Sequence, residues 1–168
     1  MSKQPKVALI MGSDSDFEKL KPCIKTLKMF GIEPVVRVIS AHRTPDEAEK
    51  FAKNAKDEGI EIILAAAGKA AHLGGVLAAF TILPVIGIPI KSSTMDGLDS
   101  LLSMVQMPKG IPVATVAIDG ADNAAILAAQ MLAIKYSDIE DKLIAFKKQM
   151  ADEVMQKNAK VIQEAQTL

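Results

Sequence analysis

The strongest constraint on this chain is an alternation: short apolar runs of strand length are separated by segments of helical periodicity through most of its 168 residues. Lys6–Met11 (KVALIM) predicts a strand, and Phe17–Phe30 carries a helical pattern stopped by Gly31. Pro34–Ile39 predicts a second strand. Thr44, Pro45, Asp46 and Glu47 then read as a capping box with proline at the first helical position, opening a helix that runs to Gly59. Three more strands are expected at Ile60–Ala66, Leu83–Ile90 and Ile111–Ile118, with helices over Ala70–Ala79, Leu98–Val105 and Asn123–Lys135. The last of these is so uniformly apolar that it should be covered on nearly every side. Strand and helix in regular alternation specify a parallel sheet with right-handed crossovers and helices on both faces. The expected fold is α/β, a three-layer αβα sandwich with a doubly wound, flavodoxin-like sheet.

Ser137 to Glu140 form a further capping box and open a helix to about Gln163, roughly 40 Å long at 1.5 Å per residue. Ile139, Leu143, Phe146, Met150 and Val154 make an apolar stripe along it, and its length suits contact with a neighbouring subunit. A single domain over residues 1–168 follows, with a core at about 6–135 and an oligomerisation helix at about 137–163. The 20 Lys and Arg balance 20 Asp and Glu, and no basic block is present, which argues against nucleic acid as a partner. The lone Cys23 excludes an internal disulfide and a cysteine zinc cluster, and a cytoplasmic location is expected. The uncharged stretch Ala70–Ile90 has the length of a membrane span, but Pro84 and Pro89 lie in a strand-like run, so no membrane association is expected. The first residues carry too short an apolar run for a signal peptide. The 49% apolar content is then best explained by subunit contacts in a homo-oligomer.

In an open parallel sheet, ligands sit at the carboxyl ends of the strands. The unusual polar and glycine residues collect there: Gly12–Asp16 after the first strand, Ser40–Pro45 after the second, Ala67–Gly75 after the third and Lys91–Thr94 after the fourth. The first loop lacks the G-x-G-x-x-G spacing of a dinucleotide site. Ser13 at a helix N-terminus suits a phosphate; Asp14 and Asp16 would repel one at close range but suit ribose hydroxyls, although Ser15 with Glu18 also fits a plain capping box. Arg43 can clamp a phosphate or carboxylate bidentately, beside His42, an imidazole suited to proton transfer near neutral pH. His42 equally fits a surface histidine, and His72 a buried one bonded to a carbonyl. Gly68, Ala70, Ala71, Gly74 and Gly75 allow either close approach of a ligand or tight helix packing.

The G-S-x-S-D pattern of the first loop, SAHRTP (Ser40–Pro45), AAHL (Ala70–Leu73), MDGLDSLLSMVQMPKGIPVATVAI (Met95–Ile118) and NAAILAAQMLA (Asn123–Ala133) together resemble the 5-(carboxyamino)imidazole ribonucleotide mutase family. The resemblance runs in one order from Val7 to Ala133. It implies an isomerase of de novo purine biosynthesis that moves a carboxylate from the exocyclic nitrogen of an aminoimidazole ribonucleotide to ring carbon 4. It further implies a homo-octamer, with neither metal nor cofactor.

By the same resemblance His42 is the general acid/base, and Ser13, Asp16 and Arg43 bind the ribonucleotide. Gly68, Lys69, Ala71, His72 and Leu73 line the pocket for the carboxylate or carbon dioxide, and Ser40 and Ala67 complete the substrate-binding set. Arg43, Pro45 and the AAHL segment favour the mutase over the related class that carboxylates aminoimidazole ribonucleotide directly, whose pattern is S-A-H-K-T. A non-catalytic nucleotide-binding paralogue is the third reading. Lys69 stands where the mutase pattern has glycine and Gly74 where it has proline, and Asp119–Asp122 is shorter and more acidic than usual.

Overall fold

A computed structural model describes residues 4–168. Its strands are β1 (Lys6–Met11), β2 (Glu33–Val38), β3 (Ile60–Gly68), β4 (Val85–Ile90) and β5 (Ala114–Thr115). Its helices are α1 (Phe17–Met29), α2 (Pro45–Asn54), α3 (Leu73–Phe80), α4 (Leu98–Val105), α5 (Ala121–Ala133) and α6 (Ser137–Ala165). The sheet is parallel throughout, in the order β2-β1-β3-β4-β5. This is the flavodoxin-like doubly wound arrangement, as the alternation predicts. The uncharged stretch Ala70–Ile90 is divided between α3 and β4, and no helix of the described residues is long and apolar enough to cross a membrane.

The strand order settles the layers. A right-handed crossover from β1 out to β2 puts α1 on one face, and the return through β3, β4 and β5 puts α2, α3 and α4 on the other. On that second face Ala8, Ile10, Ala65 and Ala67 join Phe51, Leu73, Leu77 and Met104 in one buried cluster. The alternate residues Val7, Leu9, Ile62 and Leu64 point to the opposite face and are fully or almost fully buried as well. Burial on both faces explains why β1 and β3 read as continuous apolar runs rather than alternating ones.

Helix ends were legible where glycine was required. Gly31 adopts φ 80°, its N–H donates to the Lys28 carbonyl, and the Ile32 N–H donates to the Leu27 carbonyl, closing α1 in a Schellman motif. The three capping boxes are not formed. Thr44 flanks α2 but turns its hydroxyl back to the Ser40 carbonyl, Ser15 lies inside a 3-10 turn capped by Ser13, and Ser137 is the first residue of α6 with no side-chain cap before it. Likewise α2 ends at Asn54 rather than Gly59, with turns between. The expected strand Ile111–Ile118 shrinks to Ala114–Thr115, paired with Ile86–Gly87. Pro89 and Pro112 have no N–H to give, so the regular ladder is interrupted along this edge, where the Val116 and Asp119 N–H groups still donate to the Gly87 and Pro89 carbonyls.

The chain divides into two compact units, one up to Ala129 and one from Gln130 to Leu168. α5, which belongs to the first as far as Ala129, buries Ala121, Ala124, Ala125, Ala128 and Ala129 there and half-buries Ile126 and Leu127, leaving Asp122 and Asn123 exposed at its start. The second contains the 29-residue α6, in which Ile139 and Leu143 are buried. Met150 and Val154, from the same predicted stripe, are exposed, as are Ile144, Met155, Val161 and Ile162.

Candidate active site

The two crossover directions part between β1 and β3, and the loops leaving these neighbouring strands border a cleft of about 620 Å³. In an open parallel sheet this switch point leaves a crevice at the carboxyl ends of the strands in which a ligand sits. Each wall comes from a strand end. β1 contributes Gly12, Ser13, Ser15 and Asp16; β2 contributes Ser40, Ala41, His42 and Arg43; β3 contributes Ala67, Gly68, Lys69, Ala71 and Leu73; β4 contributes Ile90, Lys91, Ser92 and Ser93.

In the first loop the Gly12 N–H donates to the Ala66 carbonyl at 3.1 Å, continuing the β1 to β3 ladder to the cleft floor. Ser13 then caps a 3-10 turn over Asp14–Asp16: its Oγ accepts the Ser15 N–H at 3.3 Å and the Ser15 hydroxyl at 2.9 Å. Burial raises the pKa of Asp16 above the ordinary carboxylate value, a hydrogen bond from Ser15 and the charge of Lys19 oppose the rise, and the charges of Asp119 and Asp14 add to it. A half-buried carboxylate beside two hydroxyls is suited to accept hydrogen bonds from ribose hydroxyls.

The second loop folds on itself. The Thr44 N–H and hydroxyl both donate to the Ser40 carbonyl, at 2.8 and 3.0 Å, while the Ser40 N–H donates to Thr44 Oγ1 at 3.1 Å. His42 is carried, exposed, within this closed turn. Arg43 is tethered at several points: its N–H donates to Ser40 Oγ at 3.2 Å, and its guanidinium donates to Ser40 Oγ and to the Gly12 carbonyl at 3.5 and 3.3 Å. A guanidinium fixed between two loops loses little further freedom when an anion binds.

The third loop starts with Lys69 at φ 59°, followed by a tight turn in which the Ala71 N–H donates to the Lys69 carbonyl at 2.8 Å. Ala67, Gly68 and Ala71 leave this part of the wall smooth and close to backbone, between Lys69 and Leu73. His72 does not join the others: it is the exposed residue flanking α3 and does not line the cleft. Its neighbours Ala71 and Leu73 do. Cys23 is buried in α1, its thiol pushed up to about 12 by burial with Asp122 adding, and is inert.

Among the predicted site residues, Ser13, Asp16, Ser40, His42, Arg43, Ala67, Gly68, Lys69, Ala71 and Leu73 are therefore gathered around one cleft. Residues 6–153 of the chain match the family described as AIR carboxylase. The chain belongs to this family. A Pyrococcus horikoshii relative named N5-carboxyaminoimidazole ribonucleotide mutase is 55% identical over 156 residues, 93% of this chain and 88% of the relative. A Thermotoga maritima relative of the same name is 55% identical over 153 residues, 91% of this chain and 90% of the relative. A Candida glabrata protein named phosphoribosylaminoimidazole carboxylase is 50% identical over 159 residues, which are 95% of this chain but 28% of that longer protein. The crystal structure of Treponema denticola PurE superposes with a TM-score of 0.86 at 28% identity, covering 94% of this chain and 98% of that one.

The fourth wall of this AIR carboxylase family chain, Ile90 and Lys91 to Ser93, lies outside the predicted set of site residues, although Lys91–Ser93 belong to the polar segment expected at the end of its strand. The signal was available, because these residues immediately follow a parallel strand. Lys91 lines the wall with its ammonium bonded to Asp96 Oδ1 at 2.7 Å, and that hydrogen bond and charge raise its pKa above the ordinary lysine value.

Proposed function

We propose that this chain is an N5-carboxyaminoimidazole ribonucleotide mutase of purine biosynthesis, acting as a homo-oligomer, most simply the octamer its family resemblance implies, in the cytoplasm. The observation that carries the reading is the convergence on one switch-point cleft of an imidazole, a tethered guanidinium, a half-buried carboxylate and a wall of small residues. Ser13 and Arg43 hold the phosphate, Asp16 the ribose, and the Ala67–Leu73 wall the carboxylate. Phosphate binding energy is then used to position the ring.

The reaction needs one proton carrier. Protonated His42 gives its proton to the exocyclic nitrogen as the nitrogen–carboxylate bond breaks, leaving carbon dioxide and aminoimidazole ribonucleotide. Ring carbon 4 attacks the carbon dioxide, forming the carbon–carbon bond, and neutral His42 takes the proton from carbon 4, which restores the aromatic ring. The histidine ends as it began, and no other reactant is consumed. The small-residue wall retains the carbon dioxide between the steps. The exposed apolar residues of α6 and the exposed Val36 and Val38 of β2 support self-association.

Supplying the purified protein with the carbamate made in situ, or with aminoimidazole ribonucleotide plus bicarbonate, tests the assignment. Turnover of the carbamate is expected, and rapid turnover of the second mixture alone would overturn it in favour of a direct carboxylase. His42→Asn should lower kcat by about 100- to 10,000-fold while ribonucleotide affinity, read by calorimetry, is retained.

A further inference from the structure

Behind the fourth wall of the cleft, one ion pair captures both backbone polar groups of a single residue. Lys19 on α1 donates to the two carboxylate oxygens of Asp119 at 3.2 and 3.1 Å, and to the carbonyl of Lys91 at 3.0 Å. Asp119 Oδ1 in turn accepts the Lys91 N–H at 2.8 Å. Lys91 is the first residue beyond β4, and with Ser92 and Ser93 it forms the wall itself.

Asp119 is shaped for this reach. It lies between β5 and α5 at φ 56°, a left-handed conformation that Asp and Asn tolerate better than other side chains. Its own N–H donates to the Pro89 carbonyl at 2.8 Å, so backbone and side chain grip β4 on both sides of Ile90. The pair is half-exposed, with side-chain accessibilities of 40% for Lys19 and 36% for Asp119. Exposed ion pairs add little to stability. What this one does add is geometry, because three elements distant in sequence meet at the root of a loop that borders the cleft.

We infer that the Lys19–Asp119 pair is a positioning device for the Lys91–Ser93 wall, acting on ribonucleotide affinity through the backbone of Lys91. Neither residue touches the cleft, and neither is a catalytic residue. The inference rests on the proposed function for the identity of the ligand alone.

The test compares Lys19→Met, Asp119→Asn, the double variant and Lys19→Arg with the wild type, reading KM, kcat, the Kd for aminoimidazole ribonucleotide and Tm. Asparagine keeps a carbonyl oxygen for the Lys91 N–H and tolerates the left-handed backbone, so Asp119→Asn is expected to fold. Each single variant should raise KM and Kd by about tenfold with kcat and Tm little changed. The double variant should be no worse than either single one, because both break the one ion pair that holds the two groups on Lys91, and Lys19→Arg should recover part of the loss. Lowered Tm with unchanged KM would reduce the pair to a structural strut. Opposite effects of Lys19→Met and Asp119→Asn on KM would mean that the two charges act separately through Asp16, and either result overturns the inference. A wild type that binds aminoimidazole ribonucleotide but does not turn over the carbamate removes the proposed function only, and the Kd ratios still decide the inference.

Discussion

Lys69 occupies a left-handed backbone conformation that glycine adopts freely and lysine does not, at the lip of the cleft. Such a residue costs about 1 kcal/mol, which is worth retaining only if the side chain contributes something. Lys69→Gly should accordingly raise stability by about 1 kcal/mol in urea unfolding. It should raise KM for the carboxylated substrate more than Kd for the decarboxylated ribonucleotide if the ammonium faces the carboxylate. Asp16 gives a pH-dependent prediction. Its pKa is raised in the folded chain, chiefly by burial, so its contribution to stability is complete below the unfolded-chain value and is lost as pH rises through the folded value. Asp16→Asn should therefore gain Tm over the wild type at pH 7 and lose that advantage below about pH 4, while weakening ribonucleotide binding. The residue types alone left His42 open between a surface histidine and a proton carrier, and it is the fold that sets it with Arg43 on the wall of the cleft. His72 shows the limit. It shares a segment with Ala71 and Leu73, yet the turn begun by Lys69 leaves it exposed at the start of α3, outside the cleft lining.

Among the elements, the stretch from the end of β4 to α4 is the most constrained. Gly97 has φ 95°, and an added Cβ would lie 2.9 Å from Ile118 Cγ2 and 3.1 Å from the Lys91 backbone. The Ser100 hydroxyl, fully buried, donates to the Gly97 carbonyl at 2.8 Å and lies 3.0 Å from that of Ile90, fastening α4 to the same place. Gly97→Ala should cost about 2 kcal/mol or more by chemical denaturation, from left-handed strain and the clash together, and lower kcat/KM by displacing Lys91. Glycine at a helix end is readable because only one residue type fits the backbone angle, as at Gly31. Hydroxyl caps are less readable because the same oxygen can bond forward or backward. Thr44 bonds back to Ser40, which closes the turn carrying His42 and leaves α2 without a side-chain cap. The shortening of β5 belongs to the same class, since it depends on which strand faces Pro89, a fact absent from the local pattern of Ile111–Ile118.

For the whole molecule, the exposed apolar residues of α6 carry a prediction about assembly. Val154 and Met155 are 61% and 66% accessible in the isolated chain. Replacing both by Asp should leave far-UV helicity intact and shift sedimentation from the proposed homo-oligomer to smaller species; an unchanged sedimentation coefficient would remove these residues from the assembly. The sequence by itself determined the α/β class, the parallel sheet and the loops at the carboxyl ends of its strands as the place for a ligand, because strand and helix periods are local and crossover handedness leaves only a few arrangements open to such a chain. It also determined His42 and Arg43 as a pair, since they are neighbours in the chain. Only the tertiary structure decided the strand order that brings four of these loops around one cleft, that His72 lies outside its lining, and that Lys19 meets Asp119 across a hundred residues of sequence. Those outcomes depend on strand order and on where a loop turns after its strand, and both are fixed by contacts between segments whose residues carry no record of one another.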